Sequence, residues 1–267
     1  MKYKQTFHKT WEILKPFLFY YILHSAVFVL LLSLCRAAAE GLGAAYLADL
    51  TEHADTVTGI VSGLSMLISV LPFLPMLRRE LAGHRAEAAV DTGRTIGLTV
   101  ILAVSSSLGL NVLITLTGLV GQSASYQEVA DRQYGVAFGI GILLYALVSP
   151  ITEEIVFRGL VYNRMRCYMP HAAAVIASGV LFGIYHGNPV QGVYGGCMGI
   201  LMAYLYERTH SFFTPCLFHA AANLTVYAVA QSAALQGLFF TVPVCAALLV
   251  LSGGGIILVE RIYHGEA

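Results

Sequence analysis

The chain has 267 residues, of which 57% are hydrophobic and only 11% charged, with a mean hydropathy of +0.73 and no net charge at pH 7. Soluble domains carry about 25% charged residues, so this chain cannot cover its own surface with polar groups, and lipid must be part of its solvent. The zero balance removes any global electrostatic ground for a nucleic-acid partner.

A transmembrane helix needs roughly 20 mostly apolar residues. Such runs fall, in chain order, near 17–35, 57–77, 95–120, 135–152, 172–186, 189–206, 212–231 and 237–259. They predict an all-α polytopic membrane protein, a bundle of about eight transmembrane helices. The fourth, fifth and sixth runs are short or hold polar residues. The first has a long basic lead-in, and seven further runs follow it, so it is expected to be a retained span rather than a cleaved signal peptide. No repeat, low-complexity tract or linker divides the chain, which predicts a single domain over 1–267. The five cysteines (Cys35, Cys167, Cys197, Cys216, Cys245) sit in or beside apolar runs without CxxC spacing, as small hydrophobes do.

Charge sets the orientation. Lys2, Lys4, Lys9 and Lys15 precede the first run. Arg78, Arg79, Arg85 and Arg94 follow the second, Arg158, Arg164 and Arg166 follow the fourth, and Arg208 and Arg261 complete the set. Thirteen of the 15 basic residues thus fall on one side. The other side holds Arg36 and Arg132 beside Glu40, Asp49, Glu52, Asp55, Glu128 and Asp131.

A charge within hydrocarbon costs at least a few kcal/mol, so it needs a reason. Ionisable and amide side chains gather in one third of the chain: Glu153, Glu154 and Arg158, then His186, then His219 with Asn223. His24 stands apart in the first run and reads as a structural histidine. Ser149-Pro150 is a helix-start signal, with Ser149 as N-cap and Pro150 in the first turn. The two glutamates would follow in the electropositive first turn. Adjacent residues point about 100° apart, so the pair should serve different purposes. Glu154 and Arg158 have the spacing and order of an ion pair, which leaves Glu153 with no sequence-local partner.

Phe182 and His186 are four apart on the next run, beyond a turn at Met169-Pro170. Glu153 lies 16 residues before Met169 and His186 lies 17 after it, so an antiparallel hairpin puts them at nearly equal height. A carboxylate facing an imidazole suits activation of water. His219 and Asn223 share one helix face. They could serve as donors to an oxyanion; alternatively Glu153, His186 and His219 could hold zinc; or the polar side chains could be interhelical glue.

Glu-Glu-x-x-x-Arg (Glu153, Glu154, Arg158), Phe-x-x-x-His (Phe182, His186) and His-x-x-x-Asn (His219, Asn223) resemble, in order and interval, the three motifs of the CPBP family. These are the CAAX-protease and bacteriocin-processing intramembrane endopeptidases, also called the abortive-infection family. The resemblance covers about 135–231. It implies hydrolysis of a peptide bond in or near the bilayer, on a peptide or membrane-protein substrate. By resemblance Glu153 matches the general base, His186 its partner in activating water, His219 and Asn223 the oxyanion pair, and Glu154, Arg158 and Phe182 supporting positions. The family is often labelled metalloprotease. No HExxH occurs and Asn223 is a poor zinc ligand, so the expectation is a site without tightly bound metal, with zinc on Glu153, His186 and His219 as the alternative. The compact chain is closer to bacterial relatives, which places it in a bacterial cytoplasmic membrane. A non-catalytic immunity or scaffold protein of the same fold is the competing function. A proton-coupled transporter is another, although no internal repeat supports it.

The charge bias puts both termini in the cytoplasm. Cysteine labelling or reporter fusions at Lys4 and His264 should report that side for both; opposite sides would mean an odd number of spans.

Overall fold

The structure, a computed structural model, describes residues 2–82 and 92–264, so Arg85 lies outside the described residues, as do the side chains of Lys2, Lys4 and His264. Eight principal helices follow one another: α1 (Lys2–Leu42), α2 (Ala54–Ala82), α3 (Thr92–Leu116), α4 (Phe138–Tyr168), α5 (His171–Tyr185), α6 (Pro189–Thr209), α7 (Phe213–Ala230) and α8 (Val242–His264). Short helices at Ala44–Glu52, Leu119–Gln122, Ala124–Gly135 and Ala233–Phe239 connect them at one end of the bundle. Each expected apolar run is helical, and the protein is an all-α polytopic membrane protein. The count of eight full spans is not shown. Among the described residues, six helices (α1, α2, α3, α4, α7 and α8) are long and apolar enough to cross a membrane. With 15 residues, α5 reaches only about 22 Å, short of a hydrocarbon core of about 30 Å. With 21 residues, α6 is long enough but too rich in glycine and tyrosine to count as apolar.

Basic side chains mark one end of the bundle and tie its helices together. Arg164 donates to the Glu12 carbonyl at 3.0 Å and reaches Glu80 at 3.5 Å, linking α4 to α1 and α2. Arg166 pairs with Glu207 at 2.9 Å, and Arg208 with Glu260 at 2.7 Å, joining α4 to α6 and α6 to α8. At the opposite end Arg36–Glu40 and Arg132–Glu128 are exposed pairs within single helices. The start of α1 and the end of α8 therefore lie at the basic end.

One helix start differs from the sequence reading. Ser149 and Pro150 do not begin a helix; they lie within α4, where Ser149 is helical (φ −60°, ψ −51°) and caps nothing. A stretch of π-helix at Leu144–Val148 precedes them, and another at Ile155–Tyr162 follows. Local π-widening is how a membrane helix accommodates proline. The N-cap signal presumes water-exposed amides before the serine, and here the chain is already helical.

The tightest packing joins α5 to α6, through glycines. A Cβ on Gly183 would sit 2.4 Å from the Gly192 carbonyl oxygen, and one on Gly199 would sit 3.0 Å from Gly179 Cα. Such close backbone approach is how small residues join helices in lipid. Gly183→Ala should therefore lower stability in detergent by about 1–3 kcal/mol, the usual cost of overpacking. Gly97→Ala, in α3 with nothing within 4 Å of its Cβ, should be neutral or stabilising; equal melting shifts for the two variants would refute the packing argument.

Candidate active site

The site is built on the middle of α4, where the two glutamates leave the helix in different directions. Glu154 and Arg158 form an ion pair at 2.8 Å with both side chains fully buried. A second guanidinium nitrogen donates to the Gly199 carbonyl at 2.8 Å, so Arg158 binds α4 to α6. The guanidinium carbon also lies 4.8 Å from the centre of the Phe182 ring, in cation–π contact. Glu153 turns instead into a cavity and is 5% exposed. It has a local partner the sequence reading did not assign: the Ser149 hydroxyl donates to Glu153 Oε1 at 2.7 Å. Ser149 read as a cap concealed this i,i+4 pair.

His186 is placed by the end of α5. Gly187, at φ +74°, takes the left-handed conformation that stops a helix. Asn188 then caps α6 by accepting from the Gln191 amide at 2.9 Å, with Pro189 in the first turn. The His186 ring at the last turn bonds through Nδ1 to the Phe182 carbonyl at 2.8 Å. Since a carbonyl can only accept, Nδ1 carries the proton, and Nε2 is left with a lone pair. Gly195 makes room for the ring, because a Cβ there would lie 3.2 Å from Nδ1.

His219, on α7, bridges the two glutamates. Its Nδ1 is 2.9 Å from Glu154 Oε1, and its Nε2 is 3.9 Å from Glu153 Oε2. The sequence reading had assigned Glu154 to Arg158 alone. Phe182 is in edge contact with both imidazoles, with centroids 4.8 Å from His186 and 5.6 Å from His219. Asn223, one turn beyond His219, donates to the Tyr145 carbonyl at 3.0 Å. That carbonyl is an expected orphan. The Ser149 amide bonds Leu144 in the π register, so the next bond would run from residue 150 to 145, and Pro150 has no N–H. One amide proton of Asn223 fills the gap, and the other remains for a ligand.

Glu153, His186, His219 and Asn223 all line one cavity of about 220 Å³. Sequence reasoning missed its upper wall: Tyr145, Gln191 and Tyr194 from the spans, and Tyr126, Gln133 and Tyr134 from the Ala124–Gly135 helix. Burial raises the pKa of the Tyr126 and Tyr134 phenols, so both stay neutral hydrogen-bonding groups. His24 lies outside the lining; its ring stacks on Tyr20 with centroids 5.8 Å apart, and its Nε2 is buried without a hydrogen-bond partner. As for zinc, no three His, Cys, Asp or Glu side chains among the described residues gather closely enough to hold an ion. Glu153, His186 and His219 share a cavity without standing close enough together to form a ligand triad.

The helices enclose a buried acid–imidazole–amide cavity within a polytopic membrane protein. Residues 135–225 match the family model "Type II CAAX prenyl endopeptidase Rce1-like", which bears out the CPBP resemblance across the stretch that carries all three motifs. The chain is also 25% identical over 182 residues to "Putative membrane peptidase YdiL" of Bacillus subtilis (strain 168), covering 65% of this chain and 71% of the relative. No solved structure matches.

Breaking one partner of a buried ion pair strands the other charge and costs about 3–5 kcal/mol. Arg158→Met should lower stability by that order, and adding Glu154→Leu should recover part of the loss. Strict additivity of the two substitutions in thermal melts would show that the pair is not coupled.

Proposed function

We propose that this chain is an intramembrane endopeptidase, with both termini in the cytoplasm, that hydrolyses a peptide bond with water activated by Glu153 and His186. The observation that supports this most is the convergence of Glu153, His186, His219 and Asn223, drawn from three helices, on one cavity inside an apolar bundle. The Glu153 carboxylate takes a proton from water that the His186 Nε2 lone pair orients, and the hydroxide attacks the peptide carbonyl carbon. The resulting oxyanion meets the free N–H of Asn223 and, with His219 as imidazolium, its Nε2–H. In that form Glu153, Glu154, Arg158 and His219 sum to zero charge, which reduces the cost of burying four ionised groups. Collapse breaks the C–N bond, and the departing amine takes the proton held by Glu153. Water, one peptide bond and two new termini balance the reaction, and no tightly bound metal is required.

The test compares new protein N-termini in membranes of cells producing the wild-type protein or Glu153→Gln. The amide cannot accept the proton, so termini present with the wild type should vanish in the variant while folded yield stays the same. On a peptide taken from such a site, His219→Ala and Asn223→Ala should each slow cleavage by about 10²–10³-fold. Exhaustive chelation should leave the rate nearly intact. An absence of Glu153-dependent termini would point to the immunity or scaffold role; one zinc per chain, with activity lost on removal and restored on return, would overturn the metal-free chemistry.

A further inference from the structure

The cavity is one-sided. On α4 its lining stops at Glu153, on α5 it begins at Phe182, on α6 it stops at Met202 and on α7 it begins at Phe218. The lining thus runs from the level of Glu153, Phe182, Met202 and Phe218 toward the end of the bundle away from the basic residues. Below it, Phe182, Met202 and Phe218 form a floor with no more than 2% exposure each, above the buried Glu154–Arg158 pair and the packed side chains of Phe157, Leu160 and Leu205.

Two features shape the upper end. α5, with 15 residues, is about 8 Å shorter than a full span, and His186 at its end and Gln191 at the start of α6 both line the cavity. The Ala124–Gly135 helix, which has no buried residue, completes the lining at that end. Its only partly covered side chains are Tyr126, Ala130, Gln133 and Tyr134, which share one face, and all four line the cavity. It is attached at its C-terminal end, where Gln231 donates to the Tyr134 carbonyl at 3.1 Å, Tyr227 to the Val136 carbonyl at 3.3 Å, and the Ala137 amide to the Thr56 hydroxyl at 3.1 Å. Its N-terminal end is capped only by its own Ser123, five residues after Gly118, which has φ +78°.

We infer that the polypeptide to be cut enters from the end of the bundle opposite the basic residues, beneath the Ala124–Gly135 helix, as an extended and uncharged segment. This rests on the endopeptidase reading for the cut, but the route itself rests on the cavity alone. With the basic end in the cytoplasm, entry is from the extracytoplasmic half of the bilayer. The segment is uncharged because the lining offers tyrosine hydroxyls and the amides of Asn111, Gln133 and Gln191, with no lysine or arginine. An acidic side chain would meet Glu153 without a counter-ion, and an unpaired charge at that depth is costly.

Two measurements test it. In a bacterial host, an impermeant maleimide is applied to spheroplasts and to inverted vesicles containing a protein with one cysteine. That cysteine is either the native exposed Cys167, beside Arg166 at the basic end, or Val226→Cys in the cavity wall. Ala130→Cys serves in place of Val226→Cys if the latter folds poorly. The expected result is that Cys167 reacts in inverted vesicles only and the cavity cysteine in spheroplasts only; reaction of both from the same side overturns the route. Glu153-dependent termini, mapped onto their parent proteins, should cluster at extracytoplasmic ends of spans in stretches without charge. If they cluster at cytoplasmic ends, the inference fails while the protease stands. If there are none, the protease reading fails, and the labelling pattern still decides the route.

Discussion

A guanidinium and a carboxylate, both sealed from solvent in the middle of a membrane helix, impose the strictest condition on this structure. Removing either Glu154 or Arg158 would strand the other's charge, and the pair also draws on groups from elsewhere. Gly199 supplies a carbonyl from α6 and His219 an imidazole from α7. Satisfying one ion pair therefore fixes three helices relative to one another. Once they are fixed, Glu153, one residue earlier on α4, has only the cavity to face. The neighbouring glutamates divide the work because a helix separates consecutive side chains by about 100°.

The glycines of the α5–α6 hairpin serve the same condition. Arg158 reaches the Gly199 carbonyl only because α6 lies close against α5, and that closeness depends on positions where a Cβ would strike backbone. The same contact holds the Phe182 ring between the guanidinium and the two imidazoles. Packing in the apolar half and placement of the polar groups are one arrangement.

Much of this was legible in the residues. The turn at Met169 returned His186 to the cavity that Glu153 lines, and the i,i+4 spacing of Glu154 and Arg158 gave their pairing. The failures share a cause: sequence signals are calibrated on helices ending in water. Ser149-Pro150 signals a start, yet here it lies within α4, its missing hydrogen bond supplied by Asn223 from another helix. Nothing in an i,i+4 pattern announces a partner 78 residues away. The span count has a related cause, since apolarity alone does not distinguish a helix that crosses the bilayer from one, like α5, whose 15 residues are too few to cross it. The upper wall of the cavity was missed because its side chains are uncharged and follow no motif spacing: Tyr145, Gln191 and Tyr194 sit within apolar runs, and Tyr126, Gln133 and Tyr134 in the stretch between two of them.

The π-helical stretches of α4 bear on how the chain tolerates changes of length. A π turn holds one residue more than the α turn it replaces, so Leu144–Val148 takes up an extra residue without turning the top of α4 against its motif. Removing a single residue there would let the stretch relax to α with the contacts of Val136 and the connecting helix kept. The same deletion one turn earlier, in the α-helical Phe138–Leu143, would rotate everything above it by about 100° relative to the glutamates. The contacts of Val136 and the connecting helix would then be aimed at lipid. Hydrophobicity and motif spacing are the same after either deletion, and a comparison of sequences by residue type alone would not tell them apart. In this fold the place at which a residue is lost matters as much as the residue itself.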